Sequence, residues 1–203
     1  MARLSLRLVL FCTLVASAFA ASTTSADAGL LPGLLGGNCG SMSKVFAPWG
    51  DNAPYYFAPN GGFESGAQGW TLAGGAQVVA GNEGYYVHST GDRYSLSIPN
   101  GATVISPPLC SGVTYKGLRF FAMSPSGSAT IHVRVIARGL LSILSVLDGG
   151  TFQVGSTWQP TPVSTLLTGL SELVGVKSIQ IQITVSGNVQ IDDLFVDPLL
   201  QEA

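Results

Sequence analysis

Two carboxylates stand side by side in a stretch that otherwise asks to be buried. Residues 188–198 read Asn-Val-Gln-Ile-Asp-Asp-Leu-Phe-Val-Asp-Pro, with Asp192 and Asp193 at the centre. The β-branched and aromatic residues around them predict a strand, and Pro198 ends it because proline brings no N–H to a ladder. Successive strand residues point to opposite faces, so at least one Asp must leave the solvent face. A buried carboxylate is costly unless it is hydrogen-bonded, paired or bound to a cation. No Lys or Arg lies within ten residues on either side. A metal ion or a set of backbone N–H groups is the partner to expect. Asp193 is the one expected to be a ligand or buried acceptor; Asp192, one residue out of phase, is expected in water.

A second stretch gathers rings, an imidazole and carboxylates. Gly84-Tyr-Tyr-Val-His-Ser-Thr-Gly91 places Tyr85 and Tyr86 near His88, with Glu83 before and Asp92 after. Such a loop could stack the C–H face of a sugar on its rings. It could form a small hydrolytic site if His88, Glu83 and Asp92 converged. It also fits a plain surface loop with one tyrosine docked in the core. Other rings suited to a sugar platform are Tyr94, Trp158 and Trp49, whereas Trp70 is expected in the core. The only other histidine, His132, is expected on the polar face of a strand. The chain contains no H-E-x-x-H, G-x-S-x-G or Walker pattern, so the common metalloprotease, hydrolase and nucleotide-binding motifs are missing.

The elements that must position these groups read as short strands. Gly69–Ala73, Ala76–Ala80, Tyr94–Ile98, Thr103–Ser106 and Tyr115–Ala122 are separated by turn residues. Ala129–Arg138 alternates, with Ile131, Val133, Val135 and Ala137 on one face and His132, Arg134 and Arg138 on the other. Lys177–Ser186 does the same, with Ile179, Ile181, Ile183 and Val185 against Gln180, Gln182 and Thr184. Alternation of this kind means one face in a core and one in water, the habit of antiparallel sheets. Many short strands at such spacing predict a β-sandwich or barrel. Gly139–Leu147 fits either a buried strand or a short helix, and Val163–Val174 has helix-like spacing weakened by Gly169.

Residues 29–59 look irregular. Two prolines and an Asn-Ala-Pro turn argue against a regular element in Val45–Phe57, yet Phe46, Trp49, Tyr55, Tyr56 and Phe57 are dense there. Such a segment is expected to latch onto the domain, or else to face a ligand. Before it, Arg3 and Arg7 precede the apolar run Leu8–Ala20, which reads as a secretory signal peptide. Cleavage patterns occur at Ala18-Phe19-Ala20 and Ala26-Asp27-Ala28, and the second gives a leader of residues 1–28. Secretion leaves Cys39 and Cys110, and an even pair in an oxidising compartment reads as a disulfide, with two free thiols as the alternative. Charged residues are only 10% of the chain and hydrophobic ones 46%, which excludes a disordered chain. The basic residues Lys44, Arg93, Lys116, Arg119, Arg134, Arg138 and Lys177 are scattered. Nucleic acid and anionic membrane surfaces are therefore poor partners, and no membrane span is expected after the leader.

Two motifs bracket the body of the chain. Asn60-Gly-Gly-Phe-Glu-Ser-Gly-Ala-Gln-Gly-Trp70 resembles the N-G-x-F-E…G-W opening of jelly-roll carbohydrate-binding modules of the galactose-binding-like group. Ile191-Asp-Asp-Leu-Phe-Val196 resembles their closing strand. The chain is also similar to a group of secreted bacterial proteins that join C-G and P-W-G-D to the same opening, a likeness that supplies no activity. The resemblance implies an all-β, antiparallel jelly-roll sandwich over residues 60–199. It implies carbohydrate binding without catalysis and polysaccharide as the partner; the contact residues to expect, chosen for their rings and polar groups, are Tyr85, Tyr86, His88, Tyr94 and Trp158. In the resembling modules a structural calcium joins the first and last strands, which places Glu64 and Asp193 as its ligands here. The alternative keeps Asp193 as an acceptor of turn N–H groups and Glu64 in water. The rival function is a structural or protein-interaction sandwich of the extracellular space.

Overall fold

The computed structural model describes residues 39–109, 117–139, 143–164 and 178–197. The expected leader, Cys110 and most of the segment 163–174 lie outside them. The strands are β1 (Met42–Ser43), β2 (Tyr55–Phe57), β3 (Thr71–Ala73), β4 (Gln77–Ala80), β5 (Tyr94–Ile98) and β6 (Thr103–Ile105). They continue with β7 (Gly117–Met123), β8 (Ser128–Arg138), β9 (Ile143–Gly155), β10 (Gln159–Pro160), β11 (Ser178–Ser186) and β12 (Val189–Asp197). The ambiguous stretch after residue 139 is thus strand from Ile143 onward. A single 3-10 turn, Ala47–Trp49, is the only helical element among the described residues. None of the described helices is long and apolar enough to cross a membrane.

The strands form two antiparallel sheets. One runs β3-β6-β11-β8-β9. Its inward residues Ile131, Val133, Val135, Ile179, Ile181 and Ile183 are fully buried or nearly so, while His132, Arg134 and Gln182 face out. The expected alternation of β8 and β11 is therefore what is seen. The other sheet is built around β12. One edge of β12 pairs with β7 along its length. The opposite edge pairs first with β5, through Val189 to Ile191, and then with β2, through Phe195 and Val196. Between them the register shifts, from Asp192 to Phe195. Here the 58–61 turn takes over: Ala58 N–H donates to the Leu194 carbonyl and Leu194 N–H to the Gly61 carbonyl. A Cβ on Gly61 would lie 2.8 Å from the Leu194 oxygen, so only glycine permits this approach.

This second sheet is buried on both faces. Leu118, Phe120, Ala122, Leu194 and Val196 join the main core between the sheets. Phe121 and Phe195 point the other way, into a second cluster with Phe46 and Tyr55. The cover comes from the segment expected to be irregular. Contrary to that expectation it supplies β2, because the edge of β12 beyond the register shift has no other strand to satisfy it. Phe46 sits 5.0 Å from Tyr55, 5.6 Å from Phe195 and 5.8 Å from Phe121. The Arg119 guanidinium lies 4.5 Å from the centre of the Phe46 ring. That cation donates to Asp51 Oδ2 at 2.9 Å, and the Tyr55 hydroxyl donates to the same oxygen at 2.8 Å. Burial pushes the Asp51 carboxyl up, but the hydrogen bonds from Tyr55, the Ala53 N–H and Arg119, with the Arg119 charge, outweigh it and hold it below the usual carboxylate range. Cys39 packs against the main core, and the expected partner of its disulfide, Cys110, lies outside the described residues.

The Asn60 motif is a folded turn. Its side-chain amide donates to the carbonyls of Gly66 and Gln68, its side-chain oxygen accepts Ser65 N–H, and its own carbonyl accepts Trp70 Nε1. Trp70 is buried against Phe63, as expected of a core residue.

Phe46 is fully buried within the second cluster, so Phe46→Ala is expected to destabilise the protein by about 3–5 kcal/mol in urea unfolding. A change under about 1 kcal/mol would show that the aromatic cover contributes little.

Candidate functional site

The register shift in β12 governs the site. Inward residues run Ile191, then Leu194, then Val196, so one extra residue lies between the first two. Asp193 absorbs it in the left-handed region, φ 46°, which Asp tolerates better than most side chains. Both carboxylates are consequently buried, and Asp192, expected in water, is fully enclosed. The alternation on which that expectation rested does not hold across a bulge.

The loop between β4 and β5 wraps these two groups. Gly81 N–H donates to the Arg93 carbonyl and closes its base. Glu83 N–H donates to Asp192 Oδ2 at 2.9 Å and His88 N–H to Asp193 Oδ2 at 3.1 Å. Asp193 N–H turns back onto Asp192 Oδ1 at 2.9 Å. Glu83 is fully buried, and its carboxylate accepts the N–H groups of Tyr85 and Val87. The His88 ring pairs with Asp92 Oδ2 at 2.7 Å and stacks on Phe57 at 3.7 Å between centroids. Glu83, Asp92, Asp192 and Asp193 are thus four buried acids in one place. Among the described residues, the one Arg ion pair is Arg119 with Asp51, and it belongs to the aromatic cover.

Burial, then the charge of Asp193, pushes Asp192 up to about 9 against the N–H bonds it accepts. Burial likewise pushes Asp193 up to about 7, opposed by the His88 N–H and reinforced by Glu83. Asp193 Oδ1 is buried and has no hydrogen-bond partner. His88, Asp92 and Asp193 each offer a ligand atom, all within 4.8 Å of one another. Glu64 is not in that group. It is exposed, and its Oε1 accepts Arg93 N–H at 2.7 Å and Tyr94 N–H at 2.8 Å, tying the opening turn to β5.

Beside the loop is an apolar cleft of about 570 Å³, lined by Val45, Pro48, Trp49, Tyr85 and Val87. The Trp49 and Tyr85 rings meet as a corner, 5.0 Å apart and at 88°. The Tyr85 hydroxyl donates to the Trp158 carbonyl at 3.2 Å and accepts from Gln159 Nε2 at 3.0 Å. Of the residues expected at a sugar site, Trp49 and Tyr85 line the cleft, and half-buried Trp158 is tied to Tyr85 only through its backbone carbonyl. Tyr86 and Tyr94 are exposed but do not line it, and His88 is turned to the carboxylates. Val45, Pro48 and Val87 carry no chemical signal in the sequence. Their role comes only from the segment folding over the loop. The outer face of the other sheet carries His132, Arg134 and Gln182, and the one Phe, Tyr or Trp in its strands, Phe152, is buried.

No protein-family model and no curated protein matches the chain. Solved structures do. The tandem CBM22-1-CBM22-2 domain of Paenibacillus barcinonensis Xyn10C aligns with TM-score 0.50 at 12% identity, over 69% of this chain and 49% of that one. The C-terminal family 22 carbohydrate-binding module of Clostridium thermocellum Xyn10B aligns with TM-score 0.47 at 16% identity, over 73% and 96%. TmCBM61, solved in complex with β-1,4-galactotriose, aligns with TM-score 0.45 at 18% identity, over 69% and 96%. At these identities the likeness is one of fold. The chain has the antiparallel jelly-roll β-sandwich fold of carbohydrate-binding modules.

The raised acids set a pH dependence. Asp192 and Asp193 hold protons in the folded chain that they release near pH 4 when unfolded, so their contribution to stability falls as pH rises from about 4 towards 7 and 9. Asp51 and Asp148, both held below the usual range, lose their contributions only at still lower pH. Chelator-treated protein is therefore expected to melt higher at pH 5 than at pH 8, and Asp192→Asn to flatten that difference. A melting temperature that rises from pH 5 to pH 8 would contradict the burial of free acids here.

Proposed function

We propose that this chain is a secreted, non-catalytic module that binds carbohydrate in the cleft between Trp49 and Tyr85. The observation that carries this is the cleft itself. Two rings meet at a corner, and the hydroxyl of one of them, Tyr85, is exposed and hydrogen-bonded to the Gln159 amide. A sugar ring offers the complement, an apolar C–H face and an equatorial fringe of hydroxyls. The leader of the sequence supports export. The absence of catalysis is supported by the state of Glu83: buried, with both oxygens occupied by N–H groups, it cannot serve as a base for a bound substrate.

One observation favours the rival, a protein-interaction sandwich. Trp49 and Tyr85 are perpendicular, so they make no flat platform for an extended chain. A corner suits the end of a glycan, or a single inserted residue, better than its middle. Pull-down on cell-wall and plant polysaccharides, followed by titration with the best oligosaccharide, separates the two. Binding is expected to fall roughly tenfold or more in Tyr85→Ala and to be unchanged in Gln182→Ala on the opposite sheet. Silence across the panel would sink the carbohydrate reading and leave the rival.

A further inference from the structure

Calcium takes six to eight oxygens in a loose shell. The oxygen pair expected for it was Glu64 with Asp193. In the folded chain Glu64 is exposed and engaged by two backbone N–H groups. The side chains that converge on Asp193 are His88 and Asp92, so the donor set contains a nitrogen. One imidazole with two carboxylates suits a borderline first-row cation such as Zn²⁺, which binds few ligands and takes imidazole readily.

We propose that His88, Asp92 and Asp193 form a structural site for a zinc-class divalent cation, in place of a calcium site resting on Glu64. A cluster of acids alone would not carry this. Asp193 Oδ1 is fully buried and unpartnered, a state that costs free energy until something positive meets it. The space beside it is kept open by the lack of a side chain at Gly62. A Cβ there would lie 2.8 Å from Asp193 Oδ1, 3.2 Å from the Phe57 ring and 3.8 Å from Asp192 Oδ1. Phe57, stacked on His88, holds the imidazole in place. The His88 side chain is 38% exposed, which gives a cation a way in from solvent. A bound cation would join β12 to the β4–β5 loop and so fix the loop that presents Tyr85. The site does not depend on what the cleft binds.

The test uses the untagged chain, stripped with a chelator and then given Zn²⁺ or Ca²⁺, with thermal melting and metal content as readouts. Zn²⁺ at a hundredfold excess over its Kd is expected to raise the Tm by roughly 5–10 °C, with one ion bound per chain. Ca²⁺ at the same concentration is expected to leave it unchanged. His88→Ala and His88→Gln, the latter keeping a planar side chain over Phe57, are both expected to lose the Zn²⁺ shift, and Glu64→Gln to keep it. Three results would overturn the proposal: no shift with Zn²⁺, a Zn²⁺ shift that survives both His88 variants, or a Ca²⁺ shift that Glu64→Gln removes.

Discussion

The bulge at Asp192–Asp193 in the last strand is the constraint on which the other parts depend. β12 is the central strand of its sheet, and its far half pairs with β2 while its near half pairs with β5. A straight strand could keep Ile191 and Val196 on opposite faces only. The extra residue restores the phase, so that Ile191, Leu194 and Val196 all reach the main core. The cost is two carboxylates turned away from water. Satisfying them needs backbone donors, and these come from Glu83 and His88 in the β4–β5 loop. A defect in one ladder thus dictates the conformation of a loop more than a hundred residues away in sequence.

From that loop the chain of consequence runs to the candidate binding surface. Glu83 uses its own carboxylate to gather the N–H groups of Tyr85 and Val87. Both residues then line the cleft, with Val45, Pro48 and Trp49 on the facing segment. That segment is held from beneath by Asp51, which ties Arg119 on β7 to Tyr55 on β2. Neither wall belongs to the regular face of a sheet. The cleft exists because an N-terminal segment covers a sheet face that in a simpler sandwich would meet water. Its corner shape follows from the way Trp49 and Tyr85 reach it from different elements.

The sequence made the five-stranded sheet legible because one of its faces is wet. Ile179, Ile181 and Ile183 alternate with Gln180 and Gln182, and that period survives folding unchanged. β7 gave no such signal, since Leu118 through Ala122 are buried on both faces by different clusters. β2 was hidden by Pro54 and by its dependence on a distant edge. Asp192 was misplaced because a bulge breaks the period of two that the expectation assumed. The opening motif marked the fold correctly, and its residues prove to build a turn: Asn60 caps carbonyls and Glu64 caps β5. Only contact at long range could show that Asp193 meets His88 and Asp92, residues about a hundred positions away.

The most direct test of the bulge as organiser is native-state hydrogen exchange at the two amides it binds, Glu83 and His88. These sit in a loop with exposed neighbours, yet they donate to Asp192 and Asp193. They are expected to exchange as slowly as the paired amides of β12, opening only with the sheet. Exchange at the rate of free loop amides would show that the carboxylates do not hold the loop, and the link between the last strand and the cleft would fail.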